Sequence, residues 1–231
     1  MLDFKLENDK ERAYFEQDFS DVNELLHRIR TSLVDGSSLS ISGLDLPVNY
    51  DRSETLVYIT LFQCGQKFIR YGSKRADLET TINRNIEMLR KNKRFSDFSV
   101  TDENSCRIMI EWVIDRKKAL SKNLNSERFD NGRFEIGING LELRKDGISY
   151  YYMPTDAITL SHMGLRAVLQ TLVKKTPIGK LTNSISERLN ILAASNDYEY
   201  YLFRSRAFVS YKNDCIPLYR GNVRYKEFSY D

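Results

Sequence analysis

An α+β fold, with a mixed or antiparallel β-sheet flanked by helices, is predicted by three observations. Strand-like segments alternate with period two, and helix-like segments carry apolar stripes at 3.6-residue spacing. The two kinds do not follow a strict strand–helix–strand alternation, so a wholly parallel α/β sheet is not expected. Lys145-Asp146-Gly147, placed between two apolar runs, marks a tight hairpin, the connection of neighbouring antiparallel strands.

The elements follow in order. Residues 1–19 read as a flexible lead. Val22, Leu25, Leu26, Ile29 and Leu33 then recur at helical spacing, with Ser20 as the expected N-cap and Gly36 as the stop. Gly36 to Asp51, rich in Ser, Gly and Pro, is predicted to be a loop anchored by Leu39, Ile41, Leu44 and Leu46. Thr55 to Phe62 is an apolar strand, and Lys67 to Arg75 a short basic strand and turn. A helix from about Asp77 places Leu78, Ile82, Ile86 and Leu89 on one stripe. In the next strand Cys106, Ile108, Ile110, Trp112 and Ile114 alternate with Arg107, Met109, Glu111 and Val113, which predicts one dry face.

Residues 116–130 are polar and are expected to form an exposed loop. Phe134 to Arg144 reads as a strand pair or a bent strand broken by Gly137 and Gly140. The hairpin turn then leads into Ile148 to Tyr152, which Pro154 ends because proline cannot donate to a sheet ladder. Leu165, Val168, Leu169 and Leu172 mark a helix, and Ser184-Ile-Ser-Glu187 matches a capping box that opens another. Tyr198 to Tyr211 is the last long strand. Residues 212–231 form a C-terminal extension whose Val223, Phe228 and Tyr230 predict packing on this domain or against a neighbour. With no linker-like stretch, residues 1–231 are expected to form a single domain.

Composition narrows the class. The chain of 231 residues is 41% hydrophobic and 29% charged, ordinary values for a globular protein. The longest apolar run is far too short to span a bilayer, and the N-terminus carries acids where a secretory signal needs bases. No membrane association is expected, and the cytoplasm is the expected location. Net charge is +3, with a local basic excess: residues 66–94 hold Lys67, Arg70, Lys74, Arg75, Arg84, Arg90, Lys91, Lys93 and Arg94 against Asp77, Glu79 and Glu87. Such an excess attracts anions when its charges are not already matched.

Chemistry-bearing residues are few. Cys64, Cys106 and Cys215 are widely spaced and form no Cys-x-x-Cys pair, so neither a disulfide framework nor a zinc site is indicated, and no cofactor or metal is expected. Neither glycine-rich nucleotide motif occurs, and G-x-S-x-G is absent. The two histidines differ in context. His27 lies on the first helix, three residues after Glu24, and reads as a surface or packing residue. His162 follows Pro154-Thr-Asp-Ala-Ile-Thr-Leu-Ser161, a hydroxyl-rich turn at the start of a helix, where Asp156, Thr159, Ser161 and His162 either converge on a ligand or simply cap the helix.

The order of elements from Ser20 to Tyr211 resembles that of the AMMECR family. The family's signature, Leu-Arg-Gly-Cys-Ile-Gly, follows a strand, and in register this chain has Ile69, Arg70, Tyr71, Gly72, Ser73 and Lys74. The apolar residue and Arg70 match, while Gly72 stands at the cysteine position. Asn92-Lys93-Arg94-Phe95 parallels the family's Asp-x-Arg-Phe element. Gly137 to Gly140 and Tyr152-Met153-Pro154 parallel its glycine-bearing strand and its Leu-Pro turn, and Leu165 to Lys175 its helix ending in a Lys-bearing turn.

The family is widespread and its biochemical role is poorly defined, so the resemblance implies a fold more than a reaction. In the family's arrangement the signature loop borders a cleft. That implies a site where Arg70, Tyr71 and Lys74 meet the turn bearing Asp156, Ser161 and His162. A thiol-based mechanism is not open to Gly72. The expected function is an accessory, AMMECR-like module that binds an anionic small molecule or a protein partner or adjoining domain. The alternatives are an enzyme acting on a phosphorylated or acidic small molecule and a nucleic-acid-binding module. The latter would show steep salt dependence.

Overall fold

The structure, a computed structural model, describes residues 19–46, 56–63, 67–75, 77–119, 122–123, 128–129, 132–134, 136–157, 165–211 and 214–218. The chain divides into two compact units, residues 1–110 with 207–218, and residues 111–206 with 219–231. It is an α+β protein, and every strand pair with an assigned register is antiparallel.

In the first unit, helix α1 (Ser20–Asp35) buries Val22, Leu25, Leu26, Ile29 and Leu33 on one stripe and ends at Gly36 in the left-handed conformation. Strands β1 (Leu56–Gln63) and β2 (Lys67–Lys74) pair from Leu56↔Lys74 to Gln63↔Lys67. Val57, Ile59 and Leu61 share a face with Ile69, Tyr71 and Ser73. Helix α2 (Leu78–Arg90) is tied to that face. Buried Asn85 donates to the Val57 carbonyl at 2.9 Å and accepts from the Ser73 hydroxyl at 2.6 Å. Asp77 caps α2 by accepting from the Thr80 backbone N–H at 2.7 Å.

Residues 37–46, which follow α1, are held by side chains rather than by a ladder. The Asn83 amide exchanges two 2.8 Å bonds with the Leu39 backbone, Glu79 accepts from the Ile41 N–H, and Asp21 from that of Asp45. Buried Leu39 and Leu46 are therefore set into the core. The unit is completed by the first residues of β3 (Cys106–Ala119) and the last of β9 (Glu199–Tyr211). On β9 lies β10 (Asp214–Leu218). The Phe19 and Phe208 rings meet edge to face at 5.0 Å.

In the second unit the strand order is β3, β9, β7 (Asn139–Lys145), β8 (Ile148–Tyr152). One sheet face carries Leu141, Leu143, Tyr152, Tyr200 and Leu202 into a core with Leu165, Val168, Leu169 and Leu172 of helix α3 (Leu165–Lys175). Leu192 of helix α4 (Ile185–Ala194) joins the same core. The β7–β8 turn has positive φ at both central residues, Asp146 (50°) and Gly147 (77°), the conformation that matches the strand twist. A separate three-stranded sheet joins β4 (Lys122–Asn123), β5 (Arg128–Phe129) and β6 (Gly132–Arg133).

Several expectations are corrected. Phe19, not Ser20, holds the N-cap position of α1, and it makes no side-chain cap bond. Residues 116–119 continue β3, and β4 and β5 fall inside the stretch expected to be an exposed loop. Within residues 212–231, Asp214–Leu218 is a strand on β9. Both faces of β3 are buried from Ile108 to Trp112, because Met109 and Glu111 are covered as well as the alternating apolar set. Gly140 does not break its strand. It lies within β7 beneath Phe203, whose ring fills the space a Cβ would need. Ser184 accepts from the Glu187 N–H at 3.3 Å, while the Glu187 carboxylate turns to the Thr182 hydroxyl instead of closing a capping box.

Candidate functional site

Alternation along β2 sorts the expected site residues. Arg70, Gly72 and Lys74 face one way, and Tyr71 and Ser73 face α2. Tyr71 therefore belongs to the packing between β2 and α2, where it lies near Arg84. On the other face the Arg70 guanidinium sits 4.5 Å over the Tyr58 ring, a cation–π contact. Gly72 makes that geometry possible. It is the cross-strand partner of Tyr58, and the phenol ring lies where any Cβ at position 72 would be. A cysteine at that position would have to displace Tyr58. Lys74 and Arg75 are exposed at the end of the strand.

The rest of the basic stretch is largely matched. Arg84 and Lys91 both bind Glu87, and Arg94 lies 3.9 Å from Asp97. The Glu87 carboxyl is held below its ordinary range, first by Lys91 and then by Arg84. The Arg90 guanidinium occupies the space beside Gly36, at the C-terminal end of α1, where helix carbonyls favour a cation. Lys74 and Arg75 precede α2 while Lys91 to Arg94 follow it, so the two groups are separated by roughly 20 Å of helix. The basic residues at the two ends of α2 do not form one focused patch.

In the second unit, Asp156 is a turn former. Its carboxylate accepts from the Met153 N–H at 2.9 Å, and both it and Thr155 are buried. Ser161 and His162 lie outside the described residues, as do Thr159 and Cys64. The neighbour of this turn is Glu111, fully buried, which accepts from the Thr155 hydroxyl and from that of Ser205 at 2.6 Å. Glu142, also buried, receives Arg116 in a bidentate pair at 2.7 and 2.9 Å and the Ser149 hydroxyl at 2.6 Å. Arg116 stacks 3.8 Å from the Tyr201 ring centroid. Burial works against the charged guanidinium, but Glu142 outweighs it and holds Arg116 above its ordinary range.

A cleft of about 230 Å³ opens in the first unit beside α1, lined by Asn23, Glu24, Leu26, His27, Arg30, Glu103 and Ser210. Glu24 and His27 are thus walls of a concavity rather than an incidental surface pair. Arg30, buried at 7% exposure, forms part of its lining. Its guanidinium donates to the Val100 carbonyl, to the Cys106 carbonyl at 3.1 Å and to Ser210 Oγ at 3.4 Å, and faces Glu103 at 3.3 Å. Sequence reading passed over Arg30, Glu111 and Glu142. The available signal was a charged residue set inside an apolar pattern: Arg30 falls four residues after Leu26 on the buried stripe, and each glutamate stands between two apolar strand neighbours. Among the described residues no His, Cys, Asp or Glu group of three or more converges as a metal site, and no helix is long and apolar enough to cross a membrane.

No protein-family model and no curated protein matches the chain. Among solved structures it is similar to an uncharacterized protein, PH0010, from Pyrococcus horikoshii. Identity is 13% and the TM-score 0.60, over 86% of this chain and 95% of that one. Likeness at that identity speaks for a shared fold.

Proposed function

We propose that this chain is an AMMECR-like accessory binding module that holds an anionic group, from a small molecule or an acidic segment of a partner, at the Arg70 face of β2. The observation that carries this reading is the Arg70–Tyr58 stack. The Tyr58 ring, set against Gly72, lies 4.5 Å from the Arg70 guanidinium, with Lys74 on the same face. A guanidinium carries paired N–H groups whose geometry suits a carboxylate or phosphate. Strand β2 also ends the strand order of its sheet, and among the described residues its only ladder is to β1. An extended acidic segment therefore has a backbone edge to pair with beside the cationic face.

The test is a titration of the full chain with a hexaglutamate peptide and, separately, with inorganic pyrophosphate, followed by backbone amide NMR shifts. Saturable shifts centred on Phe68 to Lys74 are expected, weakened about tenfold by Arg70→Ala, since hydrogen bonds to charged groups contribute roughly 1.5–3 kcal/mol. Both probes should bind less tightly as salt rises. Absence of shifts on β2 for both probes, or binding indifferent to Arg70→Ala, would remove the basis for this reading.

A further inference from the structure

We infer, on the strength of the Arg70 reading above, that the anion held at that face is a phosphoryl group and that the Thr60 hydroxyl selects it over a carboxylate. Thr60 is the cross-strand partner of Arg70, and alternation along β1 puts it on the face that carries Tyr58, Arg70 and Lys74. It is fully buried, and its hydroxyl has no hydrogen-bond partner among the described residues. The next pairs along the two strands set aromatic rings on both sides of it. Tyr58 and Gly72 flank it one way, and Phe62 and Phe68, with ring centroids 6.3 Å apart, the other. A buried hydroxyl left unbonded is destabilising, and nearly all such groups in folded proteins have a partner. An oxyanion seated on Arg70 supplies one.

The spacing suits a group with three oxygens. The Arg70 guanidinium lies over the Tyr58 ring, and Tyr58 and Thr60 stand one strand repeat apart, about 7 Å. One oxyanion accepting hydrogen bonds of about 2.8 Å on either side bridges that gap. A carboxylate that takes the paired guanidinium N–H groups turns both of its oxygens to them. A phosphoryl group keeps a third, which accepts from Thr60. Lys74, exposed on the same face, adds positive charge toward a dianion. Because Thr60 itself has no exposed surface, the half-buried Tyr58 and Arg70 side chains shift to admit that oxygen, and the bond forms where water is excluded and hydrogen bonds are stronger. A phosphorylated small molecule and a phosphorylated segment of a partner share this chemistry.

The full chain is titrated with pyrophosphate, with a short peptide carrying one phosphoserine, and with the same peptide carrying glutamate in its place, while backbone amide shifts of β1 and β2 are followed. Thr60→Val is expected to weaken both phosphoryl probes about tenfold, the loss of one hydrogen bond to a charged group, and to leave the glutamate peptide within about twofold. Thr60→Ser keeps the hydroxyl and should keep the preference. Without ligand, Thr60→Val should unfold at the same urea midpoint as the parent chain or a higher one, since a methyl replaces an unbonded hydroxyl. Tighter binding of the phosphopeptide than of pyrophosphate assigns the group to a partner segment, and the reverse order to a small molecule. A clearly lower midpoint for Thr60→Val, or an equal loss of all three probes in that variant, overturns the inference. Phosphoryl binding that Arg70→Ala weakens and Thr60→Val does not also overturns it, and leaves the Arg70 site standing. Absent shifts with all three probes, or binding indifferent to Arg70→Ala, removes both.

Discussion

At the scale of single residues, the two close aromatic–glycine pairings are the most exacting positions in the sheet. Gly72 lies under Tyr58 and Gly140 under Phe203, each as a cross-strand partner. Phe203 is buried, so its ring has no solvent to swing into. Gly140→Ala is expected to cost about 1–3 kcal/mol of unfolding free energy, the usual penalty for overpacking, and a Phe203→Leu background should recover part of it. Denaturant melts of the single and double variants measure this. An unaffected Gly140→Ala would mean that the ring yields freely.

The Arg116–Glu142 pair predicts an asymmetry of a different origin. Glu142 is fully enclosed whereas the Arg116 side chain is a third exposed. Removing the arginine strands a buried carboxylate, while removing the carboxylate leaves a cation that water can reach. Arg116→Leu should therefore destabilise by about 3 kcal/mol, and Glu142→Gln by clearly less. Equal losses would contradict the burial difference. These charged residues were hard to read from the sequence for one physical reason. Whether a buried charge is satisfied depends on partners many residues away, as Arg116 with Glu142 or Arg30 with Ser210, and a local pattern contains none of them.

At the scale of elements, periodicity located every long helix and strand among the described residues, because each buries a stripe or a face against a core. It did not find β4, β5 and β6, since two-residue strands have no period to detect. The helix caps were half legible. Ser184 accepts from the Glu187 N–H at the start of α4, while the start of α1 has no capping side chain, so Ser20 misled by composition alone.

The Asp77 cap carries a pH signature. Its carboxyl is lowered from 3.8, first by the Thr80 backbone N–H and then by the Thr80 hydroxyl. A lowered carboxyl contributes stability above its unfolded pKa and loses it as pH falls through the folded value. Asp77→Ala should thus cost about 1 kcal/mol near neutrality, and the gap from the parent chain should close as pH falls below the ordinary aspartate range. Urea melts across pH 2 to 7 (roughly the span of carboxylate titration) test the sign. A gap that widens in acid would refute the cap as the source.

At the scale of the whole molecule, the two units are unlike in their chain composition. The second is dominated by the single run 111–206, whereas the first joins residues 1–110 to 207–218. Residues 1–110 alone lack Phe208, which meets Phe19, and Ser210, which accepts from Arg30 and also from the Ile108 N–H. A fragment of 1–110 is expected to retain helical signal and lose near-ultraviolet dichroism, the mark of secondary structure without fixed packing. A cooperatively melting 1–110 fragment would show that the distant segment is dispensable.

That discontinuity also sets a sequence of events during synthesis. Helix α1 leaves the ribosome early, yet Arg30 and Ser210 are 180 positions apart, and at about 5–20 residues per second the helix waits on the order of ten seconds for its cover. Throughout that interval the side of α1 that meets β10 is open to whatever binds nascent chains. The run 111–206 has its own core residues in hand before the first unit does. The side of α1 that meets Ser210 and β10 is therefore among the last surfaces of the described residues to be closed, although α1 precedes both in the chain.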